Sequence, residues 1–157
     1  MATDRPNSII RVQHLAHGLG RKPEPGKRFA SVRGMPLRAA IPDDSPIVLR
    51  PKERAALPTG VAMELPDSME AQIRPLEDLG AKFGLMVLNS PGTIDPDYRS
   101  EIMVILINLG KKSVTIRRGD PIAMMTFHSF VRVRLELSNS LPKTRRATRG
   151  LGSTGTK

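Results

Sequence analysis

Residues 89–108, NSPGTIDPDYRSEIMVILIN, constrain the fold more than any other part of the chain, because a proline-punctuated polar turn runs directly into an almost uninterrupted apolar run. Proline fixes φ, glycine opens positive φ, and Asx side chains bond their own backbone. Pro91-Gly92 and Asp95-Pro96-Asp97 therefore read as turn formers. A tight hairpin exposing Asp95, Asp97 and Tyr98 is the expectation, with chemistry set beside a rigid wall. Ile102 to Ile107 then reads as a strand buried on both faces, since a short apolar run bounded by turn signals has that pattern.

The same rhythm recurs along the chain. Ser8 to Gln13 alternates loosely, as an N-terminal strand would, and RKPEPGKR at 21–28 is a charged proline and glycine loop. PIVLR (46–50), GVAMEL (60–65), AQIRP (71–75), GLMVLN (84–89), EIMVILIN (101–108), SVTIRR (113–118) and the long PIAMMTFHSFVRVRLEL (121–137) are strand-like pieces between turns. Short strands at regular spacing predict an all-β fold, an antiparallel sandwich or barrel. Only LEDLGAKF, 76–83, has the helix formers and i,i+3 spacing of a short helix. From Asn139 onward the hydrophobic periodicity stops, and SLPKTRRATRGLGSTGTK has basic residues, glycines and small hydroxyls but no carboxylate. The expected division is a β domain over 1–138 and a flexible C-terminal arm over 139–157.

Composition narrows the partner. A chain of 157 residues suits one domain, able to bury about two-thirds of its unfolded surface without staples. The absence of cysteine excludes disulfides, thiolate zinc sites and cysteine nucleophiles. The longest apolar run, near Ile102 to Leu109, falls far short of the roughly 20 residues a bilayer needs, and MATDRPNSII lacks a signal-peptide hydrophobic region. No membrane association and a cytoplasmic location are expected. A formal net charge of +10 favours a polyanionic partner. With one Tyr, four Phe and no Trp, little is available to stack bases, so a small phosphorylated ligand fits better than nucleic acid.

Four ordered stretches carry a resemblance: VLNSPG, the GTIDPDYRSEI segment that follows it, RRGDPIA at 117–123, and GSTG at 152–155. Together they resemble the signature motifs of the trimeric dUTPase family, the deoxyuridine triphosphate nucleotidohydrolases, over roughly residues 30–157. The resemblance implies a β jelly roll, in agreement with the strand rhythm, a homotrimer with sites shared between subunits, and magnesium-dependent hydrolysis of dUTP to dUMP and pyrophosphate.

It also implies roles. Asp95 would orient and deprotonate water and meet the sugar 3′-hydroxyl, a task suited to an acceptor on a rigid turn. Tyr98 would pack against deoxyribose and exclude a 2′-hydroxyl. Asn89 and the backbone of Thr93 and Ile94 would recognise uracil, with Met103 at the pocket edge. Leu76, Glu77 and Asp78 stand at the phosphate-gripping second motif. In the arm, Arg146, Gly152, Ser153 and Thr154 would close on the phosphates. Magnesium (Mg2+) is expected through the substrate phosphates, with no protein ligand assigned.

Several positions depart from the family pattern. Pro36 stands where the first motif has an aspartate beside metal-bound water. Leu76, Glu77 and Asp78 replace Arg-Ser-Gly; Pro121 replaces an arginine and Met124 a glutamine. In the arm Leu151 replaces the phenylalanine that covers uracil, and Ala147 and Arg149 replace glycines. A carboxylate about 4 Å from a phosphate charge costs roughly 4 kcal/mol at an effective dielectric near 20. Losing one preorganised donor costs about 3 to 4 kcal/mol. Reduced activity is therefore expected, and two alternatives stay open: a catalytically impaired protein that binds deoxyuridine nucleotides, and a structural or regulatory protein that uses its basic tail. His14, His17 and His128 lack metal-ligand spacing, and the RGD at 118–120 reads as a strand-connecting turn.

Overall fold

The computed structural model describes residues 9–19 and 34–144. Strands dominate. β1 (Arg11–His14) pairs with β5 (Val61–Glu64), and β3 (Ile47–Leu49) pairs with β10 (Val114–Ile116). A four-stranded sheet runs β2 (Gly34–Arg38), β11 (Pro121–Ser129), β6 (Met69–Arg74), β8 (Gly92–Ile94). A three-stranded sheet runs β4 (Arg54–Pro58), β9 (Met103–Asn108), β7 (Leu85–Val87). Every pairing is antiparallel. The one helix among the described residues, α1 (Glu77–Phe83), joins β6 to β7. This is the antiparallel all-β fold that the strand rhythm implied, in the jelly-roll-like form that the resemblance implied.

Period-two patterning builds the core. In β6 Ala71 and Ile73 point inward while Gln72 and Arg74 point out, and in β11 Ile122 and Met125 are buried. These meet Leu37, Leu57, Ile102, Val104 and Leu106, all at most 1% exposed. Each such side chain contributes about 1.5 to 3 kcal/mol on burial. Asn108 is fully buried at 0% exposure yet satisfied: its Nδ2 donates to the carbonyls of Leu49 (2.8 Å) and Lys112 (2.9 Å), and its Oδ1 accepts from the Gly110 amide (2.9 Å). That residue ties the end of β9 to β3 and to the following turn.

Three sequence expectations change. First, β9 is not buried on both faces: Val104 and Leu106 are buried, whereas Ile105 and Ile107 are half-buried and Met103 is 39% exposed. Its open face continues onto Ala56 and Pro58 of β4 and Met86 of β7, so the outer surface of the three-stranded sheet is apolar apart from Arg54, which stands opposite Ile107. Second, the 89–108 segment is not a hairpin, because β8 pairs with β6 and β9 pairs with β4 and β7 in another sheet. Third, the strand expected over 121–137 stops at Ser129. Beyond it Val131, Val133, Leu135 and Leu137 keep the alternation but are 75% to 104% exposed, with no ladder partner among the described residues. β2, β4 and β8 carry no strand signature in the sequence, because glycine, proline and alanine interrupt their apolar pattern.

Candidate functional site

The 89–98 segment hangs from the end of the four-stranded sheet. β8 pairs with β6 through Ile73↔Gly92, Gln72↔Thr93 and Ala71↔Ile94, which fixes its register. Among the described residues β8 is an edge strand, so its outward N–H and C=O groups face a position where a ligand could bond like a neighbouring strand. Gly92 is buried, and a Cβ there would lie 3.1 Å from Asn89 Nδ2. The Asn89 carboxamide therefore rests directly on this glycine. Thr93 is exposed and Ile94 half-buried. After β8 the chain turns, the Tyr98 amide donating to the Asp95 carbonyl at 3.1 Å. The Asp95 carboxylate is exposed beside this closed turn.

Tyr98 is 37% exposed, and its hydroxyl donates to the Glu101 carbonyl at 2.9 Å. Glu101 is held in turn: its Oε1 accepts from the Gly60 amide at 2.6 Å and from His17 Nε2 at 2.8 Å. Partial burial raises the Glu101 carboxyl, the largest single effect. The hydrogen bonds from His17, Gly60 and Thr59 and the charge of His17 together outweigh it, so the group sits below the ordinary carboxylate range. This network has no signature along the chain, where His17 lacks a metal-ligand spacing. Its signal is tertiary, because the partners are 84 and 41 residues apart.

Leu76, Glu77 and Asp78 lie at the start of α1, which packs on β7. Leu76 is the N-cap and makes no side-chain cap bond, whereas Glu77 and Asp78 occupy the first turn, where carboxylates favour the positive end of the helix dipole. Asp78 pairs with Lys82 at 3.1 Å, both side chains well exposed. Pro36 and Met124 are cross-strand partners, and Met124 is also paired with Arg74, so the three form one row across β2, β11 and β6. Arg74 Nη2 donates to Gln72 Oε1 at 2.7 Å, and Gln72 Nε2 to Glu70 Oε1 at 2.6 Å. Met103 opens β9 opposite Pro58. The RGD stretch forms a turn between β10 and β11 in which Asp120 Oδ2 accepts from the Arg117 amide at 2.8 Å. Arg118 reaches back to the carbonyls of Ile41, His17 and Gly18. Arg146, Ala147, Arg149, Leu151, Gly152, Ser153 and Thr154 lie outside the described residues.

No group of three or more metal-ligating side chains converges among the described residues. The chain therefore offers no metal cage of its own there. An open groove of about 400 Å³ lies between α1 and β10, lined by Leu79, Phe83, Val114 and Ile116 together with Asp120 and Pro121 of the 117–123 stretch, and by no residue of the 89–98 turn. Being mostly apolar and away from the 89–98 turn, it is not where a charged nucleotide would first be sought.

Comparison with known proteins adds sequence and fold relationships. The dUTPase family model matches residues 42–155. A deoxyuridine 5'-triphosphate nucleotidohydrolase of Mesorhizobium japonicum is 44% identical over 148 residues, covering 94% of this chain and 89% of that protein. A dUTPase variant of Staphylococcus bacteriophage 80alpha, solved with dUpNHpp, has a TM-score of 0.77 at 19% identity, over 94% of this chain and 99% of that one. A dUTPase variant from phage phi11 of S. aureus, whose structure reveals coordination of a structural Mg(II) ion, has a TM-score of 0.70 at 18% identity, over 85% and 98% of the two chains. At such identities the two phage structures bear on the fold alone.

Proposed function

The chain belongs to the dUTPase family, and from that membership we propose that it hydrolyses dUTP to dUMP and pyrophosphate. The observation that carries the chemistry is an exposed carboxylate, Asp95, at the end of an edge strand whose turn is closed by its own carbonyl. A nucleophilic water needs an oriented acceptor, and a carboxylate held by backbone rather than by a long side chain loses little entropy on reaction. Thr93 and Ile94 supply ladder-like backbone groups that suit the donor and acceptor edge of uracil, and Asn89, resting on Gly92, adds a carboxamide to the same edge. Tyr98 presents its ring to deoxyribose, and Met103 borders the pocket.

The metal enters with the substrate. Magnesium would be carried on the substrate phosphates in this reading, where it would supply charge neutralisation, with no protein ligand assigned to it. The chain's own contribution is to bind and orient. Arg146, Gly152, Ser153 and Thr154, in the arm over 139–157, close on the phosphates in this reading.

The working unit is a homotrimer. Two features of the single chain support association: the largely apolar outer face of the β4-β9-β7 sheet, and the exposed alternating segment 131–137 with no strand beside it among the described residues. Isolated surface hydrophobes are ordinary, but a contiguous sheet face is not. Light scattering at micromolar concentration checks this, and a monomer would defeat a site shared between subunits. No helix among the described residues is long and apolar enough to cross a membrane, and a cytoplasmic location completes the reading.

One observation favours a second reading, a catalytically impaired protein that binds or senses deoxyuridine nucleotides. Pro36 and Met124 are adjacent in register, so two departures from the family pattern fall on one spot. Pyrophosphate release from dUTP and magnesium, run beside the other common nucleoside triphosphates, separates the two. Turnover selective for dUTP supports hydrolysis; dUTP binding without turnover supports the second reading; neither binding nor turnover defeats both.

A further inference from the structure

The Tyr98 ring is half open to solvent, and its hydroxyl is tied to a single acceptor, the carbonyl of Glu101. Where that carbonyl sits therefore sets how the ring tilts. Residues 99 and 100 between them are exposed and belong to no strand. Position 101 is consequently the first firm point after the turn. It is firm for a tertiary reason: the Glu101 side chain takes the Gly60 amide and the His17 ring on one oxygen. The next residue, Ile102, is fully buried, donates its amide to the Val61 carbonyl at 2.8 Å and accepts the Thr59 hydroxyl at 2.7 Å.

The clamp continues into the N-terminal segment. Gly60 has φ +67°, and a Cβ on it would lie 2.3 Å from Gly18 Cα, so only glycine allows the 15–18 turn to lie there. Leu15 donates its amide to the Gly60 carbonyl at 2.9 Å, and Arg118 holds the carbonyls of His17 and Gly18. A continuous chain of bonds thus runs from Arg118 through the 15–18 turn to Glu101 and Tyr98.

We propose that Glu101 is a positioning residue for sugar discrimination, holding the Tyr98 ring at the tilt that excludes a 2′-hydroxyl. The proposal rests on the reading of Tyr98 as the surface that meets deoxyribose. It differs from a purely structural staple in one respect: the tether of Tyr98 is the carbonyl of the clamped residue itself, so the Glu101 side chain on one side and the Ile102 amide bond to Val61 on the other jointly set the peptide plane from which the ring hangs.

The test uses the full chain and the pair dUMP and UMP, titrated calorimetrically against wild type, Glu101→Ala and Glu101→Gln, with thermal unfolding run alongside. Wild type is expected to prefer dUMP. Glu101→Ala is expected to lower the dUMP-to-UMP affinity ratio about tenfold, the scale on which a bond to a charged group acts. Glu101→Gln keeps an acceptor for the Gly60 amide and is expected to stay within about twofold. The effects of Tyr98→Phe and Glu101→Ala are expected not to add, because both release one tether. An unchanged ratio in folded Glu101→Ala, with or without a lower melting temperature, overturns the proposal. If that variant does not fold, His17→Ala decides, a lowered ratio supporting the proposal and an unchanged one sinking it. Wild type that binds neither nucleotide, or both equally, overturns the reading of Tyr98 and the proposal with it; discriminating wild type with indifferent variants overturns the proposal alone.

Discussion

Replacing Leu76, Glu77 and Asp78 together by Arg, Ser and Gly should weaken α1 while strengthening the grip on a triphosphate. The structure sets both magnitudes. Glu77 and Asp78 sit in the first helical turn, where each carboxylate contributes about 0.3 to 1 kcal/mol through the helix dipole. The Asp78 to Lys82 pair, with side chains 81% and 62% exposed, contributes only about 0.3 to 0.5 kcal/mol. Glycine inside a helix costs about 1 kcal/mol. A loss of about 2 to 3 kcal/mol follows, lowering the melting temperature by about 5 to 10 °C for a chain of this size. On the binding side, such exposure reduces the repulsion of each carboxylate toward a phosphate to about 1 kcal/mol, well below the figure for a half-buried pair. A charge-assisted arginine adds about 1.5 to 3 kcal/mol. Because these effects overlap, dUTP is expected to bind about 30- to 1,000-fold more tightly. The change for dUMP is expected to be much smaller, since the gain acts on the outer phosphates. Isothermal titration with both nucleotides and a melting curve measure it. Equal gains for dUTP and dUMP, or none, would refute the placement of this loop at the phosphates; a stabilised protein would refute the helix argument. A large gain in binding without turnover would locate the defect in the row of Pro36 and Met124.

Asp95→Asn, nearly isosteric but without a basic carboxylate, is expected to abolish dUTP hydrolysis while leaving nucleotide binding largely intact; unchanged turnover would remove Asp95 as the base. Gly92→Ala places a methyl 3.1 Å from Asn89 Nδ2, and since Asn89 is exposed and can swing away, stability should fall by less than about 1 kcal/mol while dUMP binding, read by titration, weakens markedly. The Glu101 carboxyl is depressed in the folded chain, so its stabilising contribution is present above the ordinary carboxylate pKa and is lost as pH falls through its lower folded value. Glu101→Gln should therefore flatten the acid limb of a stability-against-pH curve measured by denaturant melts, and an acid limb identical to wild type would mean that another group governs it.

Much of this protein was legible along the chain. Period-two alternation in residues such as Ala71, Ile73, Val104 and Leu106 is a local consequence of the pleat, so strand class, the all-β architecture and the short helix at 77–83 could be read without coordinates. Turn chemistry is equally local, and it located the 89–98 segment that carries Asp95. What one dimension could not hold was partnership. β8 and β9 are neighbours in sequence but lie in different sheets, because sheet pairing is decided by which apolar faces can be buried together rather than by proximity. The open face of β9 and the strand pattern after Ser129, which has no ladder partner among the described residues, are products of the same competition. Charges too changed meaning: Asp78 proved a well-exposed partner of Lys82, while the Glu101 carboxylate, unremarked in sequence, takes the Gly60 amide and the His17 ring. Hydrogen bonds spanning 41 and 84 residues exist only once the strands have brought Gly60 and His17 to it, and the composition of the chain carries no trace of that.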